Sequence, residues 1–188
     1  MGAEETIEQA QETVAALNSQ LPDTERAYAA GFFDGEGCVY MTRTKPQSAA
    51  NRPSFQLQTI VTNTNRRQLE WLQQRWRGGI YQQVDRGPNS RPGWQWRLQG
   101  ARQAGGFLRD LFEFSIEKRE LIDIALRFVD LQAAHHRRYG RNFMPDEVYR
   151  QQEALWLEHR AIMANRGGPG RRRWSATPWH LDFEISGC

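Results

Sequence analysis

The sequence has few cysteines and no long apolar run. Only two cysteines, Cys38 and Cys188, occur among 188 residues, and their spacing matches neither a redox pair nor a disulfide framework. No apolar stretch approaches the ~20 residues of a membrane-spanning helix, and the acidic first residues lack the apolar core of an export signal. We therefore expect an intracellular protein, of the cytoplasm or nucleoid, that has no membrane partner.

Acidic residues are scarce beyond the first quarter of the chain. Residues 1–40 carry eight acidic residues and one arginine, whereas the remainder carries 24 basic and 14 acidic residues. Lysine is also rare, because only Lys45 and Lys118 occur among the 25 basic residues. A basic body suits a polyanionic partner such as nucleic acid, although a solvated basic surface gives the same count.

Hydrophobic periodicity divides the chain into helices and short strands. The expected helices cover 4–17, 25–34, 65–77, 104–114, 117–132 and 146–165, and the expected strands cover 38–44, 54–62, 80–84 and 94–98. The central order is α-β-β-α-β-β-α. We expect an acidic helix in 1–22, a core in 23–133, a linker and helix in 134–166, and a basic, flexible tail in 167–188.

The most distinctive stretch is AAGFFDGEG, Ala29 to Gly37, where two acidic residues lie among glycines. It resembles the LAGLIDADG signature of the homing endonucleases, with Ala29 in place of Leu and Glu36 in place of the second Asp. The segments IVTNTNRRQLEWL and SIEKRELIDIALRF are also similar to that family. The resemblance implies an α+β fold of αββαββα order, with a four-stranded antiparallel DNA-binding sheet, in the single-motif type that acts as a homodimer.

Small residues before Glu36 predict close packing between two helices. They recur at helical spacing, so we expect a dimer interface formed by Ala27, Ala30, Gly31 and Asp34. Two such helices would bring one Glu36 from each subunit together, where Mg²⁺ or Mn²⁺ would offset the repulsion of the carboxylates. The resemblance implies Glu36 as a metal ligand, with the Gly35 carbonyl close by and Asp34 satisfying backbone donors. A turn with two solvated acids remains an alternative.

The resemblance implies three more residues of a catalytic site. Lys118 would hold the attacking water or stabilise charge on the scissile phosphate, although a surface lysine at a helix start has the same pattern. Arg67 would contact the phosphate, and Asn63 would order water. Asn63 stands where Gln is often found, and it could equally be a turn residue with Asn65 capping the next helix.

Strand parity predicts a polar sheet face for DNA. The residues expected toward the core are Val39, Met41, Leu57, Trp94 and Trp96. The other face carries amides and hydroxyls, which read bases in the major groove, and arginines of the hairpin tips could hold phosphates. The expected DNA-binding residues are Tyr40, Thr42, Arg43, Thr44, Gln56, Gln58, Gln83, Arg86, Gln95 and Arg97, although a polar sheet face could also be merely hydrated.

These expectations combine into a site-specific double-stranded DNA endonuclease of the homing type. The enzyme would hydrolyse phosphodiester bonds as a homodimer with a divalent metal, and a pure binder has no need of Glu36 and Lys118. The alternative is a catalytically inactive DNA- or RNA-binding protein on the same scaffold, a regulator or a maturase-like splicing cofactor. The departures at Ala29 and Asn63 suit that alternative.

Overall fold

The computed structural model describes residues 21–44, 52–83, 92–139 and 144–166. Its elements are α1 (Asp23–Glu36), β1 (Gly37–Arg43), β2 (Phe55–Asn63), α2 (Arg66–Trp76), β3 (Gly79–Gln82), β4 (Trp94–Gln99), α3 (Ala101–Leu111), α4 (Arg119–Tyr139) and α5 (Asp146–Arg166). The predicted α+β class and the order of elements are confirmed. The expected helix in 1–22, the tail in 167–188 and Arg86 lie outside the described residues.

The four strands form one antiparallel sheet in the order β1-β2-β4-β3. Val39 of β1 pairs with Thr59 of β2, and Val61 of β2 pairs with Trp96 of β4. Side chains alternate between the two faces, since Val39 and Met41 are buried while Tyr40 between them is partly exposed. The sheet therefore has one face for the helices and one polar face.

Aromatic rings fill the space between the sheet and the helices. Trp96 and Phe107 meet edge to face with centroids 5.0 Å apart, and Phe33 meets Phe107 in the same way at 5.2 Å. All three side chains are fully buried, and the Trp96 indole N–H donates to the Arg77 carbonyl at 2.6 Å. Through Phe33, α1 packs into this core, which fixes the position of the helix that carries the acidic motif.

Several helices have different bounds from those that the sequence predicts, and α3 is Ala101–Leu111 rather than 104–114. α1 continues to Glu36, so both acidic residues of the motif lie in its last turns. α4 begins at Arg119 and continues to Tyr139, because no glycine or proline interrupts the chain before Gly140. In the described ranges, no helix is long and apolar enough to cross a bilayer.

Candidate active site

The Asp34 carboxylate joins the end of α1 to the start of α4. Oδ1 accepts a hydrogen bond from Ser115 Oγ at 2.5 Å and one from the Lys118 backbone N–H at 3.1 Å. Oδ2 accepts from the N–H groups of Ile116 at 2.7 Å and Glu117 at 3.1 Å. These donors precede α4, where backbone N–H groups have no partner within the helix. Asp34 therefore acts as a tertiary cap.

This network controls the ionisation of Asp34. Partial burial by itself would raise the pKa of Asp34, but the hydrogen bonds from Ser115 and the three backbone N–H groups outweigh it and hold the pKa below the usual value for an aspartate. The carboxylate is thus anionic at neutral pH, and its oxygens are already engaged. Asp34 holds two elements together and is poorly placed to act as a proton carrier.

Lys118 lies against the end of the same helix. Its Nζ donates to the Asp34 backbone oxygen, and the ammonium group lies 6.0 Å from the centroid of the Phe33 ring. The negative end of the α1 dipole favours a cation there. A lysine that is distant in sequence is thereby held two residues from Glu36.

Glu36 is the last residue of α1, and its side chain is exposed, as is Gly35 before it. The next residue must be glycine, because a Cβ on Gly37 would lie 2.6 Å from the Phe33 carbonyl oxygen. This close approach lets the chain pass from helix to strand without a loop. The sharp transition leaves Glu36 exposed at the junction between α1 and β1.

The oxygen donors at this helix end suit a hard divalent cation, but one chain supplies few of them. Glu36 and Gly35 are exposed residues, and a carboxylate and a backbone carbonyl are the ligand types that Mg²⁺ prefers. Over the described ranges, no three His, Cys, Asp or Glu side chains come together as a metal-binding group. Further oxygens would have to come from a second chain or from a nucleic acid.

One stripe along the outer surface of α1 is nearly bare backbone. Ala27, Gly31 and Gly35 are exposed, and an ideal Cβ on either glycine meets no heavy atom within 4 Å from the described remainder of the chain. Ala30 does not belong to this surface, although the sequence pattern assigned it there. It is fully buried in the core with Ala29, because the helix is turned so that Gly31 faces outward.

Asn63 lies near the end of α1, whereas Arg67 lies near the first two turns of that helix, so the structure does not bring the two together. Asn63 lies two residues after Val61, the strand partner of Gly37. Its Oδ1 accepts a hydrogen bond from the Asn65 N–H at 2.8 Å. Asn65 in turn caps α2 by accepting from the Arg67 N–H at 3.2 Å. The Asn63 side chain thus forms the local turn that was the alternative interpretation.

Arg67 lines an open depression of about 410 Å³ between α1 and α2, together with Thr24, Glu25, Tyr28, Gln68 and Trp71. Glu25 of this depression accepts two hydrogen bonds from Arg75, whose Nε and Nη2 donate to its carboxylate oxygens at 2.6 and 2.8 Å. This ion pair joins the two helices. The Arg67 side chain itself is exposed and open to an anion.

The polar sheet face carries most of the residues expected to contact DNA. Gln56 is exposed, and Tyr40, Thr42, Gln58, Gln83 and Arg97 are partly exposed. Gln95 is only 3% exposed; its Nε2 donates to Thr62 Oγ1 at 3.4 Å and its Oε1 accepts from Arg97 Nε at 2.5 Å. Gln95 therefore orients Arg97.

Arg43 ends β1 and Thr44 follows it, and both side chains are engaged within the chain. Arg43 lies on the helix side of the sheet, where its Nη2 is 3.2 Å from Glu153 of α5. The sequence pattern groups Arg43 with the arginines of the hairpin tips as a DNA contact, but residue 43 shares the parity of Met41 and its guanidinium lies against α5. Thr44 Oγ1 lies 2.6 Å from Ser54 Oγ and closes the hairpin base.

The sequence did not predict the contacts of three residues that support the candidate site or the sheet. Ser115 holds Asp34 from 81 residues away, and the only local signal was a serine shortly before a helix. Tyr81, 52% exposed, lies on the polar sheet face and stacks with Arg97 at 5.4 Å. Glu153, for which the sequence predicted no contact, pairs with Arg43.

Comparisons with solved structures identify the fold. The archaeal intron-encoded homing endonuclease I-Vdi141I, solved in complex with DNA, matches with a TM-score of 0.60 at 15% identity over 74% of this chain and 84% of that chain. The homing endonuclease I-TnaI matches with a TM-score of 0.56 at 13% identity, over 73% and 92% of the two chains. No protein-family model and no curated protein matches.

A third match is to a protein with a longer chain. The I-SmaMI LAGLIDADG homing endonuclease, solved bound to cleaved DNA, has a TM-score of 0.54 at 18% identity. The match covers 69% of this chain but only 42% of the I-SmaMI chain. The chain therefore has the fold of the LAGLIDADG homing endonucleases, as its acidic motif predicted, and spans less than half of I-SmaMI.

Proposed function

We propose that the protein is a site-specific double-stranded DNA endonuclease of the homing type, which acts as a homodimer with a divalent cation. The observation that carries the proposal is the exposed Glu36 at the end of a helix that presents a bare stripe of Ala27, Gly31 and Gly35. Lys118 lies at the same helix end. This arrangement occurs in a fold shared with proteins that were solved bound to DNA.

The homodimer is supported by the outer surface of α1. Glycine in a helix interior costs about 1 kcal/mol relative to alanine, and no contact within the described chain explains Gly31 or Gly35. A second α1 lying against these residues would explain both, because small residues let two helix backbones approach closely. The 42% coverage of I-SmaMI also suits a chain that contributes one of two similar units.

The divalent cation is supported by the chemistry of the donors. Two Glu36 carboxylates brought together by dimerisation would repel each other without a cation between them. I-SmaMI has been solved bound to uncleaved DNA in the presence of calcium ions. A cation held by Glu36 and the Gly35 carbonyl would activate water and offset charge on the leaving oxygen.

The remaining residues position the phosphate and neutralise its charge. The Lys118 ammonium, held by the backbone at the end of α1, would stabilise the negative charge that builds on the scissile phosphate in the transition state. The exposed Arg67 would contact a neighbouring phosphate oxygen. Asp34 would not take part directly, since its oxygens hold the start of α4 and thereby fix Lys118.

The polar sheet face would bind DNA in the major groove. Amides and hydroxyls at Gln56, Gln58 and Thr42 can donate to and accept from base edges. Arg97, oriented by Gln95, has the forked donor geometry that suits guanine. Thr44 and Gln83 lie at hairpin ends, where they could contact the DNA backbone.

The second candidate is a protein that binds DNA or RNA without cutting it. One observation favours it: the Asn63 side chain is used in a turn, which leaves it less able to order water. Glu36 and Lys118 have no evident purpose in such a protein.

One experiment separates the two candidates. Purified protein is incubated with a randomised duplex library in Mg²⁺ and in EDTA, and the ends of the products are sequenced. The proposal predicts cuts within one recurrent sequence in Mg²⁺ and none in EDTA. Retained duplex binding with no cutting in either buffer would favour the inactive binder.

A further inference from the structure

Arg43 is held by side chains of α5. Its Nη2 lies 3.2 Å from Glu153 Oε1 and donates to the Tyr149 hydroxyl at 3.4 Å. Its guanidinium also lies over the Trp156 ring, 5.6 Å from the centroid. The side chains of Arg43 and Glu153 are 25% and 32% exposed. This contact is therefore more shielded than a surface ion pair, which solvent screens strongly.

A second contact holds the middle of the same strand. His159 Nε2 lies 3.0 Å from the Val39 backbone oxygen, and both groups are buried. From Val39 to Arg43 the strand extends ~13 Å at 3.3 Å per residue, and from Tyr149 to His159 the helix extends ~15 Å at 1.5 Å per residue. The two lengths are similar, and the later strand residue meets the earlier helix residues, so α5 runs antiparallel to β1.

This side of β1 has no strand beside it in the described sheet, where β2 is its only neighbour. The helix thus covers a sheet edge, which would otherwise present unpaired backbone groups. Phe55 of β2 adds to the contact, because its ring packs against Tyr149 at 5.5 Å and Trp156 at 5.9 Å. Through Phe55, α5 also contacts the second strand of the hairpin.

The two contacts with α5 bracket Tyr40 and Thr42, which project from the opposite face of β1. Since both faces belong to one backbone, a displacement of Arg43 displaces Thr42 as well. We propose that α5 is a positioning element for DNA recognition, in which Glu153 and Tyr149 hold Arg43 and so set the place of Tyr40 and Thr42. This inference rests on the proposed DNA function.

A direct phosphate contact by Arg43 leads to different expectations. In that case Glu153 would compete with the phosphate, and removing its charge would tighten DNA binding. Each phosphate contact also contributes about −0.9 to the slope of log affinity against log salt. A positioning residue leaves that slope unchanged.

The test measures duplex affinity at several salt concentrations for Arg43→Gln, Glu153→Gln and the double variant. We expect each single variant to raise Kd about 5- to 10-fold and the double variant to do no more, because all three lose the same contact. The salt slope should stay at the wild-type value. Tyr149→Phe, which removes one hydrogen bond and keeps the ring, should act in the same direction but more weakly.

The matched control is Asp146→Asn, which removes another α5 carboxylate. Asp146 pairs with Arg52 at 2.7 Å, but these side chains are 71% and 56% exposed. We expect its Kd to stay within about twofold of wild type, since such pairs contribute little. A salt slope reduced by about 0.9 in Arg43→Gln, with unchanged or tighter binding in Glu153→Gln, would overturn the inference.

Hydrogen exchange of the free protein tests the contact without DNA. Glu153→Gln should speed amide exchange over residues 40–43 relative to Asp146→Asn. Unchanged exchange there would overturn the positioning role even if the protein binds DNA. A wild-type protein that binds no duplex would instead refute the proposed function, while faster exchange in Glu153→Gln would still support the contact between α5 and β1.

Discussion

Replacing Gly31 with alanine should have opposite effects on the single chain and on the proposed dimer. Gly31 lies within α1, is exposed, and has no heavy atom of another described segment within 4 Å of its ideal Cβ. In the single chain the new methyl group enters open space. In the dimer it enters the surface where the partner's helix would lie.

The expected gain in the single chain follows from helix propensity. Alanine is favoured over glycine in a helix interior by about 1 kcal/mol, partly because it restricts the unfolded chain. For a chain of this size, that gain raises Tm by about 2–4 °C. The dimer should lose affinity by about tenfold or more if the helices are in backbone contact, since overpacking costs about 1–3 kcal/mol.

Two assays separate these effects. Denaturant unfolding at a concentration where the monomer dominates should show the gain, and sedimentation at higher concentration should show weaker dimerisation. Gly37→Ala is the matched control, because its Cβ would lie 2.6 Å from the Phe33 carbonyl oxygen and should destabilise the monomer. If Gly31→Ala stabilises the chain yet leaves dimerisation unchanged, this face is not the interface.

Two further predictions concern ionisation. Asp34→Asn should lower the free energy of unfolding by about 1–2 kcal/mol at neutral pH, and the deficit should shrink as pH falls through the lowered pKa of Asp34; a deficit that is constant from neutral to acidic pH would refute this. Burial lowers the pKa of His159, although its hydrogen bond to Val39 opposes this, so the wild type should lose stability as pH falls from 6.5 through that pKa. His159→Gln should lack this loss in parallel pH titrations of unfolding, and an identical pH profile would contradict it.

The order of elements could be predicted because each has a clear local pattern. Trp94, Trp96 and Leu98 alternate as a half-buried strand requires, and the structure has β4 there. The acidic motif was identifiable for the same reason, since nine consecutive residues carry it. Local patterns thus suffice for elements that one stretch of sequence determines.

Two features were harder to predict: which face of a helix packs on the core, and which side of the sheet the last residue of a strand occupies. Ala30 and Gly31 are adjacent small residues, and helical spacing alone does not decide which one faces the core. Arg43 was grouped with the hairpin tip, although counting from Met41 would have put it on the helix side. The Asp34–Ser115 contact spans 81 residues, so no local pattern reports it.

The most direct test of the central claim is cleavage and binding of a recognised duplex by Glu36→Gln. The substitution keeps the size of the exposed side chain and removes its charge, so folding and DNA affinity should stay near wild type. We expect cleavage in Mg²⁺ to fall by at least about a hundredfold, the scale seen when a charge-stabilising group is removed. Cleavage at the wild-type rate would show that Glu36 is not part of the catalytic site.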